Sequence, residues 1–303
     1  NLGLNLFEES NVSFKLERTS NDTYLKKYKL KSPIIKNQNN LENSIEFNGT
    51  NDDLILQTNF YVFENLSKNN NDRYQYVYPS FSMEKSINSI DSLNGELTLK
   101  SSGSLKEYDT NIKEQILIND LLFETAPVTN KFGFKTKNNI LIKNTNTNSK
   151  NSKKYKHHND YKLSSLFETN SSFPLIKKYS NSEHLLNPKI SLRYSPNETK
   201  NIRNNDNRID ISNIYSLNRI SSGETLESGG SLTYGIDYSN SVGGREIFHS
   251  NFANIIRAKE NEDLPSNSKL GKKTSDIVGS LFFSPKQNLK FDYDFSLDEN
   301  LSE

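Results

Sequence analysis

The residues of this chain whose types could do chemistry are four histidines and one serine with small neighbours. His157 and His158 are adjacent in a tract rich in Lys and Asn, whereas His184 and His249 are isolated. Adjacent side chains on a strand point to opposite faces, so His157 and His158 would not meet at one metal ion. The sequence also lacks Cys, an HExxH motif and an EF-hand loop. We therefore expect no metal site, and a solvated loop around the histidine pair.

The serine is Ser228, in the string Leu226-Glu227-Ser228-Gly229-Gly230. The nucleophile elbow of serine hydrolases has the pattern GxSxG on a turn from a strand into a helix. Leu226 occupies the position of the first glycine, and the residues after Gly230 are typical of a strand. We therefore expect no catalytic residue, no cofactor-binding residue and no enzymatic activity.

The elements that would hold such residues are strands with two different faces. In residues 288–301 and 232–238, every second residue is large and mostly apolar, and the residues between are charged or small. The apolar members are Leu289, Phe291, Tyr293, Phe295, Leu297, Leu232, Tyr234, Ile236 and Tyr238. Because side chains alternate along a strand, each segment has one apolar side and one polar side.

The same alternation recurs along the chain, with polar joints between the segments. The other residues of the apolar parity are Val12, Phe14, Leu16, Tyr24, Tyr28, Leu30, Ile45, Phe47, Leu54, Leu56, Thr58, Phe60, Val62, Tyr74, Tyr76, Tyr78, Leu97, Leu99, Phe132, Phe134, Ile140, Ile142, Ile190, Leu192, Tyr194, Ile277, Gly279, Leu281 and Phe283. The joints are 65–72, 88–95, 144–160, 196–208 and 258–275. Pro79 is placed near the end of its strand, where a missing N–H is tolerable.

Composition excludes membrane-spanning helices but not membrane-spanning strands. Only 32% of residues are hydrophobic and the mean hydropathy is −0.79. A barrel strand needs only about 9–11 residues, half of them apolar, so hydropathy hardly detects it. The formal net charge of +1 does not favour a nucleic-acid partner. We attribute most of the Asn and Lys in tracts such as 144–154 to the composition of an AT-rich genome.

Aromatic residues favour a membrane barrel over a soluble sandwich or solenoid, which the alternation alone leaves open. Several tyrosines lie on the apolar parity, as an interface belt requires. We therefore predict an all-β chain, part of a large antiparallel transmembrane β-barrel, seen as a curved open sheet. Its apolar parity should be exposed outward, and packing against a second layer would contradict this. The charges expected to line a watery interior are Lys15, Glu17, Arg193, Lys290, Asp292 and Asp294.

An ordered set of strings resembles the barrel domain of the LptD family, the lipopolysaccharide-assembly proteins of the Gram-negative outer membrane, in its alphaproteobacterial style. The strings are residues 21–28 (NDTYLKKY), 185–190 (LLNPKI) with 195–196 (SP), 213–220 (NIYSLNRI), 227–230 (ESGG) with 234–235 (YG), and 263–265 (DLP) with Gly271 and 275–279 (SDIVG). They follow the family order over about residues 11–301.

The resemblance implies a function and partners. It implies a translocon component that inserts lipopolysaccharide into the outer leaflet of the cell outer membrane, with an LptE-like lipoprotein plug. An LptA-like periplasmic bridge would be reached through an N-terminal jelly-roll domain. We take residues 1–303 as a fragment of the C-terminal barrel domain, with the jelly-roll domain and the barrel-closing strands absent, and residues 144–160 as an external Asn/Lys-rich loop. Without Cys, the disulfides of some members cannot form here.

Three other functions remain open on the sequence alone. Another outer-membrane barrel, such as a porin or a receptor, shares the physical features but not the ordered strings. A soluble Asn-rich β adhesin would refold without detergent. A barrel enzyme would need a catalytic constellation that the sequence does not show.

Overall fold

The computed structural model describes residues 7–28, 39–87, 94–220 and 222–298. Leu30 and Leu301, which the sequence places on strands, lie outside these residues. Fifteen strands and one short helix account for most of the described chain. The strands are β1 (Glu9–Lys15), β2 (Asn40–Thr50), β3 (Leu54–Asn65), β4 (Tyr74–Ile87), β5 (Gly95–Tyr108), β6 (Ile112–Thr125), β7 (Val128–Thr129), β8 (Lys135–Lys150), β9 (Asp160–Ser172), β10 (Leu175–Lys178), β11 (Ser182–Ser195), β12 (Gly229–Val242), β13 (Arg245–Arg257), β14 (Ile277–Lys286) and β15 (Leu289–Leu297).

All fifteen strands belong to one sheet. Its path runs β1-β2-β3-β4-β5-β6-β8-β9-β11-β12-β13-β14-β15, with β7 paired to β8 and β10 paired to β11. Every pairing with a defined register is antiparallel. Neighbours in the sheet follow each other in the chain, as antiparallel hairpins allow. Among the described residues, β1 and β15 form the two edges.

Short turns alternate with long connections in the later part of the chain. The turn between β12 and β13 is Gly243-Gly244, and both residues have positive φ (58° and 77°). Two-residue hairpin turns require this conformation, which glycine adopts without steric cost. Long connections join β11 to β12 (196–228) and β13 to β14 (258–276).

Three details differ from the sequence prediction. Tyr24–Tyr28 forms the short helix α1 and not a strand. Pro79 lies inside β4, where the pairing with β5 shifts between Val77 and Ser80; the strand tolerates proline there because a bulge frees its backbone from the ladder. The predicted loop 144–160 is a loop only over 151–159, because β8 continues to Lys150.

The chain divides into two compact units. Unit 1 comprises 1–88, 97–122 and 143–163, and unit 2 comprises 89–96, 123–142 and 164–303. Unit 1 has a small buried apolar cluster of Leu25, Leu41 and Leu66. Unit 2 has a larger one, described below. No helix in the described part of the chain is long and apolar enough to cross a bilayer.

Candidate functional site: the polar face and its inner loops

The two faces of β11 have opposite chemistry and opposite exposure. Ile190, Leu192 and Tyr194 on one face are 42%, 56% and 56% exposed. Ser191 and Arg193 on the other face are 1% and 6% exposed. A sheet on the surface of a water-soluble protein shows the reverse arrangement. We call the first face the apolar face and the second the polar face, and use these names for the whole sheet.

The register carries both faces into the neighbouring strands. Ile190 pairs with Tyr234, and Ile45 pairs with Phe14 and Phe60. Exposed members of the apolar face are Phe14, Ile45, Phe60, Tyr74, Tyr76, Tyr78, Ile190, Leu192, Tyr194, Tyr234, Ile236, Phe252, Phe283, Phe291 and Tyr293. The predicted outward exposure of the apolar parity is therefore confirmed for these residues.

Two long connections cover the polar face in unit 2, and we call residues 196–228 and 258–276 the inner loops. Ile202, Ile209, Ile214 and Ile220 of the first loop and Leu264 and Leu270 of the second pack against Ala253, Ile255 and Val278 of the sheet. The dry core of unit 2 thus lies between its own loops and the polar face of its strands. Apolar burial of this kind stabilises the loops in a fixed position.

A close approach of loop and sheet requires glycine at one position of β12. A Cβ on Gly235 would collide with the hydroxyl of Tyr215 and the carbonyl oxygen of Phe252, and would lie 2.8 Å from the Cβ of Ala253. Burial, followed by the charge of Asp237, raises the pKa of the Tyr215 phenol. The ring of Tyr215 also lies under the Lys189 ammonium, 5.7 Å from its centroid.

A buried ion network joins the first inner loop to β12 and β13. Arg219 donates to both carboxylate oxygens of Glu227, from Nε at 2.9 Å and from Nη2 at 2.6 Å. Its remaining hydrogen bonds go to Thr233 Oγ1 at 2.8 Å and Ser231 Oγ at 2.7 Å on the polar face. Arg257 of β13 donates to Glu227 as well. Each charge is therefore paired, as buried charges must be.

The charge of Glu227 is the electrostatic centre of this network. Burial raises the pKa of the Glu227 carboxyl, but the guanidinium groups of Arg219, Arg193 and Arg257 outweigh that effect and hold the pKa at about 2. Glu227 is therefore ionised at every physiological pH.

Two further buried charges of the polar face lie outside this network, and one of them also holds the first inner loop. Arg193 of β11 donates to the backbone oxygens of Ser216 and Leu217 at 2.8 and 2.6 Å, and so holds the middle of the first inner loop. Beside it, Glu168 accepts from Asn139 Nδ2 at 2.8 Å and from Ser191 Oγ at 3.3 Å. Because Arg193 and Glu168 each make two of these hydrogen bonds while buried, their side chains have little freedom to rearrange.

In unit 1 the polar face carries charges and hydroxyls of both signs in pairs. Lys15 lies 3.3 Å from both Glu17 and Glu42. Elsewhere Tyr61 donates to Glu46 at 3.2 Å, Lys100 lies 3.0 Å from Glu84, and Lys143 lies 2.7 Å from Asp120. Unlike Arg193, most of these side chains are partly exposed. This surface suits contact with water or with a hydroxyl-rich solute.

The residues singled out in the sequence do not form one common site. Lys15 and Glu17 form an ion pair and Arg193 is buried under the inner loops, whereas Lys290, Asp292 and Asp294 are exposed on edge strand β15. His157 Nδ1 lies 2.9 Å from the carbonyl oxygen of Ser149, His184 Nδ1 lies 2.8 Å from Tyr238 Oη, and His249 lies near Glu246. Within the described ranges, no cluster of three or more His, Asp or Glu side chains could hold a metal ion.

No local pattern in the sequence singles out Arg219 or Arg257, which the structure places in the buried ion network. Arg219 and Glu227 both lie in strings that resemble the LptD family, and this resemblance is the sequence signal that marks them. Ser228, the weak nucleophile candidate, accepts a hydrogen bond from Asn261 at 2.9 Å, and its backbone oxygen accepts one from Arg257. Ser228 therefore links the first inner loop to the second inner loop and to β13.

A protein family and a solved structure are similar to this chain. A family model named LptD, LPS transport system D, matches residues 7–303. No curated protein sequence matches the chain. Among solved structures, a chain of the RagAB peptide transporter is similar, with a TM-score of 0.33 and 11% sequence identity over 80% of this chain and 34% of that chain. The present chain thus spans about a third of that transporter chain.

The family match covers almost the full sequence, and it agrees with the fold. A transmembrane β-barrel is the architecture of the family, and the antiparallel sheet with one apolar and one polar face is what a section of such a barrel requires. The resemblance inferred from the ordered strings is confirmed: the chain belongs to the LptD family, LPS transport system D.

Proposed function

We propose that this chain is part of an outer-membrane β-barrel that carries lipopolysaccharide to the cell surface and inserts it into the outer leaflet. Family membership supports the transport function. The observation that carries the proposal is the inverted sheet, with Ile190, Leu192 and Tyr194 exposed and Ser191 and Arg193 buried. Such a wall separates a hydrocarbon side from a polar side.

The chemistry of the cargo fits this separation. Lipopolysaccharide joins acyl chains to a charged glycan, and moving the glycan through hydrocarbon would carry a large desolvation cost. Acyl chains that stay against the apolar face and a glycan that follows the polar face avoid that cost. The transfer needs no covalent step, so we propose a transporter and not an enzyme. An LptE-like plug and an LptA-like bridge belong to the same proposal as partners.

The test is depletion of the full-length gene product in living cells. We expect lipopolysaccharide at the surface to fall while intermediates accumulate inside, and expression of the wild-type protein to restore the surface level. Unchanged surface lipopolysaccharide after depletion would refute the proposal. A loss of small-solute uptake without a change in lipopolysaccharide would favour a porin or receptor instead.

A further inference from the structure

Five neighbouring strands of unit 1 carry an uncharged polar side chain at the same level of the sheet. The register pairs Asn11 of β1 with Asn48 of β2, and Asn48 with Gln57 of β3. It continues from Gln57 to Ser82 of β4 and from Ser82 to Ser102 of β5. Residues that are directly opposite on antiparallel strands share a face, so these side chains form one continuous line. We call Asn11, Asn48, Gln57, Ser82 and Ser102 the hydroxyl–amide band.

The apolar residues of the same strands fix the face on which the band lies. Ile45 of β2 and Phe60 of β3 belong to the apolar face and are 48% and 44% exposed. Asn48 and Gln57 each lie an odd number of positions from these residues, so they point to the opposite face. The band therefore lies on the polar face, which the proposed function assigns to the glycan.

The band is open to solvent within the described part of the chain. All five of its side chains are exposed or partly exposed. In the middle of unit 2, by contrast, the first inner loop covers the polar face, where Arg193 is 6% and Thr233 0% exposed. A glycan that follows the polar face can therefore contact the band, but it cannot contact the covered part of unit 2 unless the inner loops leave the sheet.

The band keeps most of its hydrogen-bonding groups available. Ser82 Oγ donates to Gln57 Oε1 at 3.5 Å, which is a long and weak contact. None of the described contacts uses the side-chain amides of Asn11 or Asn48. A primary amide has two N–H donors and two acceptor lone pairs, so the band offers donors and acceptors side by side.

The chemistry of the band suits the hydroxyl groups of a neutral sugar. Charged side chains stand on both sides of it: Glu84 pairs with Lys100 at 3.0 Å, and Glu46 accepts from Tyr61 at 3.2 Å. The band itself is uncharged, so it does not select phosphate or carboxylate groups. Neighbouring strands present its side chains about 4.8 Å apart, a spacing comparable with the separation of hydroxyl groups across one sugar ring.

The surroundings of the band favour a sugar over a protein as its partner. In the described rows directly beside the band on β1–β5, Ile55 is the only apolar side chain, and it is 48% exposed. One such residue gives the C–H groups of a sugar ring a surface to pack against. The centre of a protein–protein interface would need a larger apolar or aromatic patch.

We propose that the hydroxyl–amide band is the surface of the polar face that binds neutral sugars of the lipopolysaccharide glycan during transport. The inference rests on the proposed function, because the cargo is lipopolysaccharide only if that proposal holds. It adds the part of the wall that contacts the glycan and the chemical groups that this part recognises, hydroxyls and not phosphates.

Photo-crosslinking of the purified full-length protein in detergent tests this proposal. One protein carries p-benzoylphenylalanine in place of Ser104, beside the band, and a second carries it in place of Ile45, on the apolar face. Each is irradiated with lipopolysaccharide that has its core oligosaccharide, with lipid A that lacks the core sugars, or with lipopolysaccharide and an excess of free core oligosaccharide. Gln57→Leu removes an amide of the band. Gln75→Leu is the matched control, because Gln75 pairs with Phe63 on the same face but outside the band.

We expect the Ser104 probe to capture lipopolysaccharide, free core oligosaccharide to suppress this capture, and lipid A to be captured several-fold less. Gln57→Leu should lower the capture several-fold, because leucine offers no hydrogen bond to a sugar hydroxyl, whereas Gln75→Leu should not lower it. The Ile45 probe should capture both lipids through their acyl chains in every variant, which shows that the variants remain folded.

Four results would overturn the band as a sugar-binding surface. They are no capture at Ser104, capture that free oligosaccharide does not suppress, capture that Gln57→Leu does not lower, and equal losses in Gln57→Leu and Gln75→Leu. Capture of a co-purifying protein in place of lipopolysaccharide would also overturn it and would assign this face to a plug subunit. All of these leave the proposed function standing, since depletion of the gene product tests that function separately. An Ile45 probe that captures neither lipid would instead contradict the lipid-facing sheet and with it the proposed function.

Discussion

Glu227 shows how a single buried charge can hold a whole loop. Its carboxylate accepts hydrogen bonds from Arg219 within the same inner loop and from Arg257 on β13. Both arginine side chains are almost fully buried. Because the three groups are buried and the two arginines share one carboxylate, the loss of Glu227 leaves both arginines without a counter-charge.

Neutralising this carboxylate should release the first inner loop. We expect Glu227→Gln to cost about 3–5 kcal/mol, because it leaves Arg219 and Arg257 buried without a counter-charge. Glu224→Gln is the matched control, since it removes a more exposed partner of Lys200 and should cost about 0–1 kcal/mol. Limited proteolysis within 196–228 and unfolding in urea measure the two variants, and equal protease resistance would contradict the anchoring role.

The same carboxylate predicts how the inner loops respond to acid. The pKa of Glu227 is lowered from 4.5 to about 2 in the folded protein, because Arg219, Arg193 and Arg257 together outweigh the opposing effect of burial. A group with a depressed folded pKa stabilises the fold above its ordinary pKa, and this contribution is lost as the pH falls through the folded value. The protection factors of the amides in 196–228, which correct for the intrinsic exchange rate at each pH, should therefore stay high down to pH 4.5 and fall between 4.5 and about 2. Glu227→Gln should lack this acid transition.

At the scale of elements, the first inner loop packs closely against β12 at Gly235. Gly235→Ala would place a methyl group against Tyr215 and the backbone of Phe252, and we expect a cost of about 1–3 kcal/mol. Gly230→Ala on the same strand is the control, because its nearest neighbour would lie 3.7 Å away. The free energy of unfolding in lipid vesicles measures both. A Gly235→Ala protein as stable as Gly230→Ala would show that the loop does not pack against β12.

The strands were predictable because their signal is local. Alternation with period two requires only neighbouring residues, and Ile190, Leu192 and Tyr194 are exposed as that pattern predicts. The bulge at Pro79 and the helix Tyr24–Tyr28 escaped prediction, since tyrosines spaced along a polar segment suit a strand or a turn of helix.

The inner loops could not be predicted in the same way. Their core brings together residues far apart in sequence, such as Ile214 and Val278, and the loops have no periodic pattern. Glu227 and Arg257 are separated by a complete hairpin, so no local spacing indicates their ion pair. Only the family strings marked part of this region as unusual.

At the scale of the whole molecule, the described sheet exposes apolar side chains on a face that a soluble protein would bury. Arg219 is among the largest fully buried side chains, while many Phe, Tyr, Leu and Ile residues of the apolar face are exposed. Exposed apolar surface of this extent marks an interaction surface, and membership of a transmembrane-barrel family assigns it to lipid. The sheet is therefore a boundary between two solvents.

A charge placed on either face should report which solvent that face contacts. Ile45 lies in the middle of β2 on the apolar face, and we expect Ile45→Arg to cost about 2–4 kcal/mol in a bilayer. Asn48→Arg on the polar face of the same strand should cost far less, because its side chain stays in water. Unfolding free energies in vesicles measure both variants, and similar costs would argue against two solvents.

The tight turn at Gly243-Gly244 has a consequence for how the protein is assembled. Because the turn has only two residues, β12 and β13 can pair with little loop-closure cost. β11 can pair with β12 only after the ends of the segment 196–228 have come together. We therefore expect the hairpin β12–β13 to form before the first inner loop closes. It already carries Thr233, Ser231 and Arg257, the groups onto which the first inner loop later closes.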